Sequence, residues 1–89
     1  MVSALVLINA ARGRIEAVGE EIAAIPGVTE VFSVAGRVDL VASIRVGTND
    51  ELADVVSHRF AQIEGIAATE TLIAFRVYSR ADLEAGFSL

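Results

Sequence analysis

The sequence contains no cysteine. That excludes disulfides, thiolate metal sites and cysteine nucleophiles, and it fits an intracellular, cytoplasmic protein. Histidine occurs once, as His58, so an imidazole-based metal centre lacks a second ligand and no metal is expected. Basic residues are few, 7 against 12 acidic ones, for a net charge of −5. A surface of that sign repels phosphate backbones, so direct nucleic-acid binding is not expected. A membrane span is missing too. The apolar start, Val2 to Ala11, has no basic flank and is too short to cross a bilayer, and it reads as a strand.

What the chain has in abundance is apolar surface. Hydrophobic residues make up 54%, and the seven glycines bring the apolar share to roughly 60%, against about 45–50% in an ordinary soluble domain. At 89 residues the chain is one domain, 1–89, near the size at which a core becomes hard to bury unaided. The excess is most easily placed in a subunit interface.

In chain order, Ser3 to Asn9 predicts a strand that ends in a loop bracketed by Asn9 and Gly13. Ile15, Val18, Ile22 and Ile25 recur at intervals of three and four, which predicts an amphipathic helix over Arg14 to Ile25, stopped by Pro26-Gly27. Val28 to Val46 holds two apolar runs joined through Ala35-Gly36-Arg37-Val38-Asp39, a hairpin in which Gly36 supplies positive φ. Both runs are largely apolar on both faces, so both faces need cover. Thr48-Asn49-Asp50-Glu51 has capping-box spacing and predicts a second helix from Asn49 to Ile63, burying Leu52, Val55, Val56, Phe60 and Ile63. Gly65 ends it, and Ile66 to Ser79 predicts the fourth strand. A short helical turn near Leu83 and an apolar tail, Phe87 to Leu89, complete the chain; the tail is expected to dock on a neighbouring subunit.

Each helix ends in the same step into a strand: Ala23, Ile25, Gly27 and Val28 recur as Ala61, Ile63, Gly65 and Ile66. Strand, helix, strand, strand, helix, strand is then two halves of a ferredoxin-like βαββαβ α+β sandwich. Two helices shield one face of a four-stranded antiparallel sheet. The open face is left for a second copy, giving a dimeric α/β barrel.

These elements, with the Gly36-x-x-Asp39 turn between strands two and three, the Thr69-Glu70-Thr71 step and the Ile63-Glu64-Gly65-Ile66 step before it, resemble the effector-binding (RAM) domain of Lrp/AsnC transcriptional regulators. The resemblance runs from Ser3 to about Tyr78. Because the sequence begins at a Met just before the first strand, it is similar to the form without the helix-turn-helix. The resemblance implies no catalysis and no cofactor. It implies a homodimer through the open sheet faces, higher rings such as octamers, and an Lrp-type regulator as a candidate partner. A small effector, usually an amino acid, would sit between dimers against Gly36, Arg37, Val38 and Asp39, with Thr69, Glu70 and Thr71 as further contacts. Turn N–H groups can hold a carboxylate and an Asp an ammonium group. Many relatives carry an aromatic residue where Val38 stands.

Each of these residues also has a purely structural reading. Gly36 is what the turn requires, and Asp39 can bond backbone N–H groups of that turn. Thr69 and Thr71 are ordinary strand composition, and Glu70 points opposite to them. Arg12 and Arg14 near the start of the first helix mark either an anion contact or a pairing with a nearby acid. Phe32, Phe60, Phe75 and Tyr78 read as core and interface. Two function classes therefore remain besides the binding module: a small dimeric α/β-barrel enzyme of monooxygenase or isomerase type, for which the strands offer almost no acid or base, and a ligand-free structural adaptor.

Overall fold

Leu40, Ala42, Ile44 and Val46 alternate along β3 (Leu40–Val46) and all four are buried. Ala4, Val6 and Ile8 do the same along β1 (Val2–Ala10). In the computed structural model, which describes residues 1–80, these two strands form the centre of a four-stranded sheet. β3 pairs antiparallel with β1 and with β2 (Val28–Ser33), and β1 pairs antiparallel with β4 (Ile66–Ile73), giving the order β2-β3-β1-β4. Helix α1 (Ile15–Ala23) lies between β1 and β2, and α2 begins at Asn49 between β3 and β4. This is the ferredoxin-like sandwich that the sequence pattern predicts.

Both helices cover the same face. Val18, Ile22 and Ile25 from the first and Leu52, Val55 and Phe60 from the second join the inward residues of β1 and β3 in one core. No polar or charged residue is buried among the described residues. None of the helices there is long and apolar enough to cross a membrane.

The second helix departs from the expected continuous run. It is α-helical over Asn49–Ala53, widens to a π-helix over Asp54–Arg59 and tightens to a 3-10 turn over Phe60–Gln62. The Phe60 N–H reaches back to the Val55 carbonyl, an i−5 bond. The physical reason lies in the spacing. After Leu52 and Val55 an ordinary turn would present Arg59 to the sheet, and the wider turn brings Phe60 there while Arg59 stays exposed. At the helix start, Thr48 Oγ1 accepts the Glu51 N–H at 3.1 Å, whereas the Glu51 carboxylate takes the Gly47 N–H at 3.1 Å and not that of Thr48. The cap is therefore one residue wider than the expected reciprocal box.

Three boundaries also shift. The first helix ends at Ala23 with Ala24 as its cap. β2 ends at Ser33, before Val34. β4 ends at Ile73; the Ala74 N–H makes one more bond, to the Ser3 carbonyl, and the chain then bends at Phe75 away from the rest of β1. The expected turn near Leu83 and the tail at Phe87 to Leu89 lie outside the described residues. The repeat seen in the sequence has a conformational cause: Gly27 and Gly65 both turn out of a helix at positive φ, +98° and +105°.

Space as well as φ restricts Gly27, since an added Cβ would stand 2.8 Å from Val46 Cγ1, whereas at Gly13 (φ +78°) nothing lies within 4 Å. Gly27→Ala is expected to cost about 1–3 kcal/mol and more than Gly13→Ala. Urea denaturation of both variants at one protein concentration checks this; equal midpoints would show that the Val46 contact is relieved freely.

Candidate functional site

The connection between β2 and β3 is built on Asp39. Its backbone N–H donates to the Ile8 carbonyl (3.0 Å), and its carbonyl accepts the Val34 N–H (3.0 Å). Its carboxylate Oδ2 accepts the Ala10 N–H (2.9 Å). The β1–β3 register ends at Ile8↔Leu40, and the β1–β4 register shifts between Asn9 and Ala10. The Asp39 side chain thus satisfies an N–H that the ladder leaves over. Between Val34 and Asp39 the chain loops outward. Gly36 has φ +149°, and a Cβ there would meet no atom within 4 Å. Arg37 is exposed and Val38 is half-buried.

The second group of expected residues lies on the far edge strand. Thr69 stands opposite Ile8 and Thr71 opposite Val6, both on the helix-covered side, while Glu70 stands opposite Leu7 on the open face. Thr71 lines a groove of about 370 Å³ between the second helix and β4, together with Asn49, Ser57, Leu52 and Val56. Thr69 borders a smaller one near Val56 and Phe60. The fold therefore does not gather all seven residues within one protomer. Gly36 to Asp39 form one unit at one end of β3, and β1 lies between them and β4.

Between these two groups runs the open face of the sheet. One cross-strand row is Phe32, Val41, Leu7 and Glu70; the next is Glu30, Ser43, Leu5 and Leu72. Phe32, Leu5 and Leu72 remain 47%, 43% and 44% exposed. The centre of this face is apolar, and a carboxylate marks each edge. A register shift between Val28 and Glu30 turns Val28 toward the core beside Ile44 and leaves Glu30 and Phe32 on the open side. Val28 and Phe32 therefore face opposite sides of the sheet although an even number of residues separates them.

Of the two arginines near the first helix, Arg14 has structural partners. Arg14 donates to the Glu64 carbonyl (3.1 Å) and pairs with Glu21 (3.5 Å), and its stem packs on Gly65, where an added Cβ would lie 2.9 Å from Arg14 Cβ. His58 is exposed and contacts Gln62 at 3.1 Å. Arg45, which faces the open side, donates Nε–H to Ser3 Oγ at 3.3 Å. Sequence reasoning missed Ala10, Asn49 and Ser57. The first carries no side-chain signal at all, and the other two read as generic helix residues until the sheet brings Thr71 beside them.

The Asp39 tie has a measurable consequence. Asp39→Ala leaves the Ala10 N–H without its acceptor and is expected to cost about 1–3 kcal/mol, with Asp39→Asn retaining most of the stability through its amide oxygen. Hydrogen exchange at Ala10 should quicken in the Ala variant. Unchanged protection there would mean that the carboxylate does not hold the strand.

Comparison with known proteins fits this geometry. Over 58 residues, 65% of this chain, it is 40% identical to an uncharacterized HTH-type transcriptional regulator of Pyrococcus horikoshii, PH1916, and spans 39% of that protein's length. The crystal structure of TTHA0845 from Thermus thermophilus superposes with a TM-score of 0.84 at 49% identity, over 90% of this chain and 100% of that one. The transcriptional regulator NMB0573 of Neisseria meningitidis, solved as an L-Met complex, shares the fold with a TM-score of 0.78 at 10% identity, over 89% of this chain and 53% of that one. The family model of the Lrp/AsnC ligand binding domain matches residues 3–83. With the βαββαβ sheet, the Asp39-anchored turn and a match across nearly its whole length, this chain belongs to the Lrp/AsnC ligand binding domain family.

Proposed function

We propose that this chain is a non-enzymatic effector-binding and self-assembly module of a regulatory system. Two copies pair through their open sheet faces, and dimers build a larger ring, of which an octamer is one form. A small molecule, an amino acid in this reading, lies between neighbouring dimers, with Gly36, Arg37 and Val38 presenting the turn from one side and Thr69, Glu70 and Thr71 contributing from another subunit. Asp39 holds that turn in place. The module acts on transcription or metabolism through a partner, with an Lrp-type regulator as the candidate, and carries out its work in the cytoplasm without touching nucleic acid itself.

The observation that carries this reading is the open face. Two adjacent rows of Phe32, Val41, Leu7, Leu5 and Leu72 form a contiguous apolar surface on a domain whose helices are already used on the other side. Surfaces of that kind on small domains mark association sites. The separation of the seven ligand candidates, four at the end of β3 and three on β4 with β1 between them, supports a site shared between subunits. The complex of NMB0573 with L-Met motivates the choice of amino acids as the first ligands to test. Regulation then follows from linkage: an effector that bridges two dimers favours the assembly to which it binds more tightly. The catalytic reading has less support, because Asp39 is tied to Ala10 and Arg45 lies on the open face beside Ser3, so neither reaches into the core beneath the helices.

Native mass spectrometry of the purified chain should give a dimer or a multiple of it, and Leu7→Asp, which places a charge at the centre of the open face, should reduce it to protomers. A monomeric parent at micromolar concentration would overturn the assembly. Calorimetry against a panel of amino acids should detect binding in the parent and a loss of at least about tenfold in Gly36→Val, whose side chain disfavours the turn's φ. No binding across the panel, or equal binding by the variant, would overturn the site.

A further inference from the structure

Arg45 is the only basic residue in the four strands, and Glu30 and Glu70 are the only acidic ones. All three are exposed and stand on the open face, Arg45 one row beyond Glu30, Ser43, Leu5 and Leu72. The Arg45 Nε–H donates to Ser3 Oγ at 3.3 Å, so its head leans over β1 and away from Glu30 on β2. The ion pairs among the described residues of one protomer, Arg14–Glu21 and Arg59–Asp54, use none of these three charges. In water they need no partner. Pressed against the apolar rows of a second copy they do, because a desolvated charge left unpaired is far costlier than a paired one.

The strand pairing fixes where the charges lie relative to one another. Arg45 stands opposite Ser3, and Glu70 stands opposite Leu7, on the two sides of β1. Two strand spacings across and four residues along put them about 17 Å apart, too far to meet within one protomer. Their midpoint falls on β1 halfway between Ser3 and Leu7, at Leu5, which is 43% exposed in the middle of the apolar surface. In a two-fold dimer a contact from Arg45 to Glu70 is repeated from Glu70 to Arg45, with the axis running over that midpoint. An axis over Leu5 therefore exchanges the two charges while the apolar rows lie on one another. The midpoint of Arg45 and Glu30 falls instead between β2 and β3, at a corner of the face and off its apolar centre.

We infer that Arg45 of each copy pairs with Glu70 of the other across the open face, two pairs to a dimer, and that these pairs set the orientation in which the sheets meet. Aliphatic rows supply affinity with little direction. The charges supply the discrimination, since a wrong orientation presses Arg45 onto aliphatic side chains or sets carboxylates against each other. Glu70 is then engaged within the dimer, and Thr69 and Thr71, on the helix-covered side of β4, are left to meet an effector. The inference rests on the open-face association proposed above and deepens it by naming the residues that orient it.

Charge exchange provides the test. Arg45→Glu and Glu70→Arg, each alone, should raise the dissociation constant of the dimer roughly a hundredfold in analytical ultracentrifugation, the scale of a buried charge pair that loses one member. Mixed in equal amounts, the two variants should recover a heterodimer about as tight as the parent, because one of its pairs is native, the other is reversed, and both attract. Native mass spectrometry distinguishes that heterodimer from either homodimer, and its recovery shows that both variants fold. Arg45→Glu mixed with Glu30→Arg should recover nothing. If the parent self-associates and Arg45→Glu leaves the constant unchanged, or the Glu70→Arg mixture fails to recover, or Glu30→Arg rescues in its place, the pairing is overturned and the open-face association stands. If the parent is a protomer at micromolar concentration, both fall together.

Discussion

A four-stranded sheet has two faces, and this chain places both of its helices on one of them. Ala4, Val6, Ile8 and the alternate residues of β3 are sealed beneath Val18, Ile22, Leu52, Val55 and Phe60 with no polar residue buried among those described. The side chains between them along the same strands, Leu5, Leu7 and Val41, are equally aliphatic and face outward. Burial of apolar area is the dominant favourable term in folding, and for a domain of this size the helix-covered face supplies only part of what is available. The association and the shared site proposed above both draw on that second face and its edges.

The turn that leads into β3 is held by the same sheet. Asp39 bonds β1 through both its backbone and its carboxylate, so the loop from Val34 to Val38 is pinned at its base and open at its tip. A loop held in that way presents backbone groups to a ligand at little ordering cost. The carboxylate that the sequence offered as a partner for an ammonium group is engaged in holding the frame. What remains open at the tip is the loop backbone with exposed Arg37 and half-buried Val38.

Much of the architecture was legible from periodicity. The spacing of Val18 and Ile22, the strict alternation along β3 and the paired Ile-x-Gly steps at Gly27 and Gly65 each left a local signature, because helix faces, strand faces and positive φ are set by neighbouring residues. Other features left none. The shift between Val28 and Glu30 depends on how β2 meets β3, and the π-turn at Asp54–Arg59 depends on where the sheet requires Phe60. β4 stops at Ile73 although the apolar pattern continues to Tyr78, because the chain bends at Phe75 and leaves the ladder after a last bond from Ala74 to Ser3.

By itself the sequence determined the order of elements, the buried stripe of each and the surplus of apolar surface, since these follow from composition and spacing along a single chain. Only the tertiary structure decided that Asp39 is bound to Ala10, that Thr71 lies beside Ser57, and that Glu30 and Glu70 border the two edges of one face. The reason is physical: cross-strand register brings together residues far apart in the chain, and a one-residue shift in it exchanges the two faces.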